Sequence, residues 1–418
     1  MTRIHSLALA LALAVAVALG AAEAQAAQTV AQTDAPTWTE DIAPLMQDKC
    51  MNCHRPGEVA PMSLLTYENV RPWARSIRQM VEERIMPPWH ADPQYGEFGN
   101  NRRMTQRQIE MVSQWVAAGA PRGPGEYTPP EFPEGWLLGG VLGEPDYVFE
   151  MTEPFAVPAG ADDINIEIVV PTTHAEDIWV QAAEVRGNSR VMHHNVVSVV
   201  LPDGTAEPTG RLASATPGKQ WDLFPDGAAK LIPAGSTMNF SLHYHPSNAD
   251  ENDVSRVAVW LVRKPITHAV YSSVVADQGL VIPPYDSNYE SRGEFVFRTD
   301  AEITLMKPHM HYRGKDMRYE LIYPDGRRET ILSVPQYDMN WQISYELARP
   351  LPVPAGTRLQ VISHFDNSDR NPWNPDPSVR VIWGSDSRDE MMEGWFDYRV
   401  ALPEPVIPPS ARAVSDQE

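Results

Sequence analysis

Cysteine is nearly absent from this chain: two of 418 residues, Cys50 and Cys53, separated by only two positions. A pair so close together cannot staple a fold of this size, so a disulfide framework is excluded and stability must come from packing. Positive charge is also scarce. Lys and Arg number 34 against 55 Asp and Glu, a formal net charge of −21, which argues against nucleic acid or an anionic membrane as partner. Long apolar runs are confined to Leu7–Leu19, which follows Arg3 and precedes Ala22-Glu23-Ala24 and Ala24-Gln25-Ala26. This is the pattern of a secretory signal peptide, residues 1–26, cut after Ala26. No later segment offers about 18 uninterrupted apolar residues, so no membrane span is expected in the mature protein.

What is present begins with the same two cysteines. Cys50-Met51-Asn52-Cys53-His54 has the C-x-x-C-H spacing that attaches a c-type haem. Two thiols three residues apart can each add to a vinyl group of one porphyrin, and the next residue offers an imidazole to the iron. A redox or zinc-binding C-x-x-C would call for a thioredoxin-like context or a second ligand pair, and neither is visible. Covalent haem on an exported chain points to a bacterial periplasm, where an acidic surface suits docking to a basic electron donor.

About 390 mature residues suggest two or three domains. Residues 37–120 read as helical, with Ile42, Leu45 and Met46 on one face just before the haem motif. Thr105-x-x-Gln108 is a capping box opening a helix with Ile109, Val112, Trp115 and Val116 on one side, and Gly119 and Pro121 stop it. These features fit a small class I cytochrome c domain. For the second axial ligand, Met86 in Ile85-Met86-Pro87-Pro88-Trp89 is the choice, because the prolines stiffen the loop; Met62, Met80 and His90 compete. Residues 121–145 are rich in proline and glycine and read as a linker. Beyond them short alternating segments run into Pro202-Asp203-Gly204 and Pro324-Asp325-Gly326, which are turn signals, and the expected architecture is two β-sandwich subdomains, 146–265 and 266–405, with a tail at 406–418.

Histidines cluster in this β-rich part: His193-His194, His243-x-His245 and His309-x-His311. Residues i and i+2 of a strand face one side, so H-x-H makes a two-point metal chelate. Adjacent histidines point to opposite faces, so His193 and His194 can share a metal only at a bulge or a strand end. His174, His268 and His364 stand alone and read as ordinary polar or core residues.

The stretches Val191-Met192-His193-His194-Asn195, Leu242-His243-Tyr244-His245, His309-Met310-His311 and Asp389-Glu390-Met391 resemble, in that order, the copper type II, ascorbate-dependent monooxygenases. That family includes dopamine β-hydroxylase and peptidylglycine α-hydroxylating monooxygenase, and the resemblance covers residues 146–402. It implies two jelly-roll-like sandwiches, each with one copper, facing a solvent-filled cleft. It implies further that His193, His194 and His243 hold an electron-transfer copper and that His309, His311 and Met391 hold the copper that binds oxygen, with Met392 as a fallback and no fixed role for His245. A thioether favours Cu(I), so the His-His-Met set argues for copper over zinc.

The chain departs from the family where peptide substrates are bound. An arginine two residues before the His-x-His is Lys307 here, and a tyrosine four residues after the methionine is Trp395, so a peptide C-terminus is not the expected substrate. Trp395 and Trp383 suggest an apolar or aromatic one. The expected activity is copper-dependent hydroxylation of an activated C–H bond in a small organic molecule by O2, with electrons arriving through one covalent haem from a periplasmic donor. Two other readings compete with it: a non-catalytic electron-transfer or copper-binding protein, and a zinc hydrolase built on His309 and His311.

Overall fold

The computed structural model describes residues 35–132 and 135–410, so the proposed signal peptide and the last residues of the tail lie outside the described residues. The chain divides into two compact units: one runs through Pro56 and includes Ala60–Pro87 and Arg103–Pro130, the other comprises Gly57–Val59, Pro88–Arg102 and the chain from Glu131 onward.

The first unit is helical. A wide turn at Trp38–Ile42, capped by Thr37, leads into α1 (Ala43–Lys49); α2 (Tyr67–Val70), α3 (Ala74–Glu82) and α4 (Gln106–Ala117) follow. Trp38, Ile42, Leu45, Met46, Ile77, Val81, Ile109, Val112 and Trp115 turn one face each into its core, as the 3.6-residue spacing of apolar side chains requires. The capping box forms: the Gln108 N–H donates to Thr105 Oγ1 at 3.2 Å, and the Thr105 N–H donates to Gln108 Oε1 at 2.8 Å. The helix ends at Gly119, whose φ of +88° is open to glycine at little cost.

The second unit is built from strands. Its first half contains β1 (Tyr147–Glu150), β2 (Phe155–Val157), β3 (Ile164–Pro171), β4 (Ile178–Arg186), β5 (Met192–Val200), β6 (Ala206–Ala215), β7 (Trp221–Leu223), β8 (Ala228–Ile232), β9 (Thr237–Tyr244), β10 (Glu251–Asp253) and β11 (Arg256–Leu261). Its second half contains β12 (Ile266–Ala276), β13 (Val281–Ile282), β14 (Tyr289–Val296), β15 (Ala301–His309), β16 (Gly314–Ile322), β17 (Arg328–Val334), β18 (Tyr345–Val353), β19 (Arg358–Phe365), β20 (Val381–Ile382) and β21 (Glu393–Val406). Both Pro-Asp-Gly turns close hairpins, β5–β6 and β16–β17, with Gly204 and Gly326 at φ +83° and +86°.

Two sandwiches result, and they share a sheet. The order β1-β11-β4-β8-β12-β21-β15-β18 is continuous, with β7 beside β4. The sheet β3-β9-β5-β6 packs over the first half around Phe149, Val197, Phe240 and Tyr244; the sheet β14-β19-β16-β17 packs over the second around Met306, Tyr319, Val361 and Phe396. Full burial of each such side chain is worth about 1.5–3 kcal/mol. The expected boundary at residue 265 is therefore no gap, because β12 pairs in parallel with β8 and antiparallel with β21.

A second difference concerns residues 88–102, which the sequence reading placed inside the helical stretch. Trp89 and Ala91 are buried in the core of the second sandwich, where the Trp89 ring lies 5.0 Å from that of Tyr345, and Phe98 bridges to Leu347. Packing of these apolar side chains outweighs their position in sequence.

Where the halves join, charged groups are buried together. Arg211 donates to Asp397 at 2.6 Å and to Asp222 at 3.4 Å, and Lys219 donates to Asp222 at 2.6 Å. Lys230 and Ser272 complete the set, Lys230 donating to the Arg211 carbonyl and Ser272 to Asp397. Arg211 and Lys219 are paired with the two carboxylates, and Lys230 is held by a carbonyl and a hydroxyl, which together permit burial.

Candidate metal centre

Three of the histidines meet at a fault in the β5–β9 ladder. Met192 lies opposite Tyr244 and His194 opposite His243, so His193 is an extra residue with no partner on β9. This is the bulge that adjacent histidines need to reach one side. His193 Nδ1 lies 3.4 Å from His243 Nδ1, which lies 3.3 Å from His194 Nε2. Tetrahedral metal–nitrogen bonds of about 2.0–2.1 Å place ligand nitrogens about 3.3–3.4 Å apart, so the spacing fits one ion. Among the described residues these three side chains stand out as a group with all ligand atoms within 4.8 Å of one another.

The orientation of His243 is set from behind. Its Nε2–H donates to Asp163 at 3.0 Å, leaving Nδ1 to face the other two rings. Asp163, just before β3, also accepts from His245 Nδ1 at 2.8 Å. His245 shares a strand face with His243 but is exposed, and it belongs to the carboxylate rather than to the trio.

His309 ends β15, and His311 lies two residues on, with ring centroids 5.2 Å apart. His309 Nδ1–H donates to Gln342 Oε1 at 2.9 Å, and His311 Nδ1–H donates to the Asp389 carbonyl at 3.2 Å. Both rings therefore keep Nε2 for a ligand, the arrangement that outer hydrogen bonds impose on metal-binding histidines. The Asp389-Glu390-Met391 segment runs alongside: the buried Glu390 carboxyl accepts the backbone N–H groups of His311 at 2.8 Å and of Arg313 at 2.6 Å. His309 pairs with Glu393, where the ladder between β15 and β21 ends, and Met391 lies two residues before β21. Met391 is half-buried, and Met392 is fully buried in the sandwich core.

The two sets are in contact. The His194 and His309 rings meet edge to face, at 89° and 6.2 Å between centroids. At this point the sets are joined by packed imidazoles, in contrast to the solvent-filled cleft that the family resemblance implies. Burial holds these imidazoles neutral and ready to donate a lone pair: His193 and His311 are pushed down to about 3, His309 to about 4, and His194 well below its ordinary value.

In the helical unit the Cys50–His54 motif forms a tight turn after α1, with the Cys53 and His54 N–H groups both donating to the Cys50 carbonyl. His54 Nδ1–H donates to the Met62 carbonyl at 3.2 Å, which leaves Nε2 for an axial bond. Met62 thus serves through its backbone. Burial, with the neighbouring Cys53, pushes the Cys50 thiol up to about 12. Met86 is half-buried in the same unit, and Met80 accepts the Ile85 and Met86 N–H groups through its carbonyl.

The three histidines that stand alone in the β-rich part are held locally. His174 is bonded to the Pro233 carbonyl, His364 to Asp316, and His268 to Thr267. Lys307 is buried opposite Trp395, and burial together with Arg211 and Lys219 pushes it down to about 7. Asp163 and Gln342 lie outside every motif in the sequence, because each reaches its histidine from a distant stretch of chain; Glu390 lies within the Asp389-Glu390-Met391 stretch, but the bonds of its carboxyl to the His311 and Arg313 N–H groups follow only from the fold.

No protein-family model matches the sequence, and no curated protein matches it. Solved structures with some likeness include the major capsid protein P2 from bacteriophage PM2 (8% identity, 62% of this chain and 98% of that chain, TM-score 0.28). Another is the infectious bursal disease virus VP2 subviral particle (11% identity, 64% and 74%, TM-score 0.21). A third is a putative alpha-L-fucosidase from Bacteroides ovatus (7% identity, 72% and 44%, TM-score 0.18). Likeness at this level carries no argument about function.

Proposed function

We propose that this protein is a periplasmic copper-dependent monooxygenase that hydroxylates a small organic molecule and receives electrons through a covalently attached haem. The observation that carries the reading is the convergence of His193, His194 and His243 at the bulge, in ring contact with His309, whose ring lies 5.2 Å from that of His311. The donor types fit: neutral imidazoles suit copper, and a thioether adds preference for Cu(I).

His193, His194 and His243 would hold one copper, and His309, His311 and Met391 the other. Copper there would supply one-electron and O2 chemistry, and haem at Cys50, Cys53 and His54, with Met86 as second axial ligand, would supply electrons. The protein's own part is positional. Asp163, Gln342 and the Asp389 carbonyl fix the ring orientations, Glu390 ties the Asp-Glu-Met segment to the His-x-His turn, and burial disfavours protonation of His193, His194, His309 and His311. Trp395, half-buried beside Lys307, offers an aromatic wall for the substrate.

The test is metal content. Wild-type protein is expected to bind two copper ions and one haem, and His193→Ala and Met391→Ala to lose copper. Unchanged copper content in both variants would sink the assignment, and a haem-free protein expressed with a haem-attachment system would remove the electron route.

A further inference from the structure

One face of the shared sheet beside His309 is polar where a buried sheet face is ordinarily apolar. β15 pairs with β18 at Leu305–Glu346 and Met306–Tyr345, and Gln342, three residues before β18, reaches His309 through its side chain. On the other side of β15, Lys307 lies opposite Trp395 and His309 opposite Glu393. Met306, Met310, Tyr345, Met392 and Phe396 alternate with these and fill the sandwich core on the opposite face.

Two groups on the polar face have no protein partner. Gln342 and Ser344 are each 3% exposed, yet Gln342 Nε2 and Ser344 Oγ make no hydrogen bond. The Gln342 amide is oriented, because its oxygen is committed to His309 and its nitrogen is then the orphan. The segment cannot drift to relieve them: the Ser344 carbonyl accepts from Asn100 Nδ2 at 2.8 Å, and the Glu346 N–H donates to Asn100 Oδ1 at 3.2 Å. An unmet buried donor costs about 1–3 kcal/mol, so two on neighbouring positions of one face are expected to have something to bind.

We propose that Gln342 Nε2 and Ser344 Oγ form a subsite for a small neutral molecule carrying a hydrogen-bond-accepting oxygen, a ketone or amide carbonyl, held against His309 with its apolar part on Trp395. This names the substrate class of the site described above and rests on that reading. The orphan groups supply donors, which select an acceptor oxygen. Lys307 and Glu393, opposite Trp395 and His309 in the β15–β21 ladder, are of opposite sign, so this pair does not call for a net charge on the ligand. The indole of Trp395, held by its own bond to Glu393 at 2.7 Å, supplies the aromatic surface.

Calorimetric titration of metal-free and copper-loaded protein with acetophenone, ethylbenzene and benzoate tests this. Acetophenone should bind tightest of the three. Ser344→Ala should weaken it about five- to tenfold, the loss of one hydrogen bond, without changing copper content. Gln342→Glu, which keeps an oxygen for His309 and removes the amide donor, should weaken it similarly. Ethylbenzene should be indifferent to both changes. Equal binding of acetophenone and ethylbenzene, or ketone binding untouched by either variant, as expected if only water meets these groups, overturns the subsite and leaves the copper reading standing. Failure of the wild-type protein to take up copper overturns the copper reading, while ketone binding to the metal-free protein still decides the subsite.

Discussion

His194 and His309 come from strands 115 positions apart in sequence and meet edge to face, 6.2 Å between ring centroids. One belongs to the bulged trio on β5 and β9, the other to the His-x-His turn after β15. Metals on the two sets would sense each other through this contact. The Cu(II)-loaded protein is expected to give a dipolar-broadened paramagnetic resonance spectrum, and His309→Ala a narrow one from the trio alone. Identical line widths in the two proteins would show that the sets do not communicate.

Asp163 should matter to metal affinity although it is no ligand in this arrangement. Its carboxylate fixes His243 so that Nδ1 faces His193 and His194. Asp163→Ala is expected to weaken copper binding at the trio about 10- to 100-fold, the usual effect of removing such a support. Competition against a chelator of known affinity measures it, and an unchanged affinity would mean that packing alone orients the ring.

Gly394 is a sharp test of packing beside the site. It lies on β21 between Glu393 and Trp395, and a Cβ placed there would come within 2.6 Å of the Val361 side chain on the facing sheet. Gly394→Ala should cost about 1–3 kcal/mol of stability from overpacking. Gly394→Ala combined with Val361→Ala should recover part of that loss in a chemical denaturation series.

The buried network at the junction sets a pH window. Burial alone would raise Asp397, but Arg211 and Lys230 more than offset it and hold the carboxyl below its ordinary value; Asp222 is likewise lowered, by Lys219 and Arg211 against the effect of burial. A folded-state value below the unfolded one means that the stabilisation is fully present above the unfolded carboxylate value, about 3.9, and is lost as pH falls through the lower folded value. Asp397→Asn should therefore destabilise by about 3–5 kcal/mol at neutral pH, leaving Arg211 short of a partner. The gap from wild type should stay constant down to about pH 4 and narrow only below it. A gap that closes between pH 7 and 5 would show that another group governs the effect.

The helical faces, the Thr105 capping box, the Gly119 stop and both Pro-Asp-Gly hairpins were legible in the sequence, because each depends on residues within a few positions of one another. So was the condition on His193 and His194: side-chain alternation in a strand requires a bulge if both are to face one ligand, and the ladder has one there. Residues 88–102 misled, since their helical neighbours surround them in sequence while Trp89 and Phe98 find apolar partners in a sheet more than 240 residues away.

By itself, then, the sequence determined the local devices and the chemistry of the donors: imidazoles in pairs, a C-x-x-C-H turn, and a methionine after Asp-Glu. The tertiary structure decided which donors meet. Sheet register brings His243 beside His194, a side-chain bond places Gln342 behind His309, and the sheet running unbroken from β8 into β12 joins the two halves that carry the histidine sets. Those relations depend on pairing between strands distant in sequence, and no pattern within a single strand encodes its partner's register.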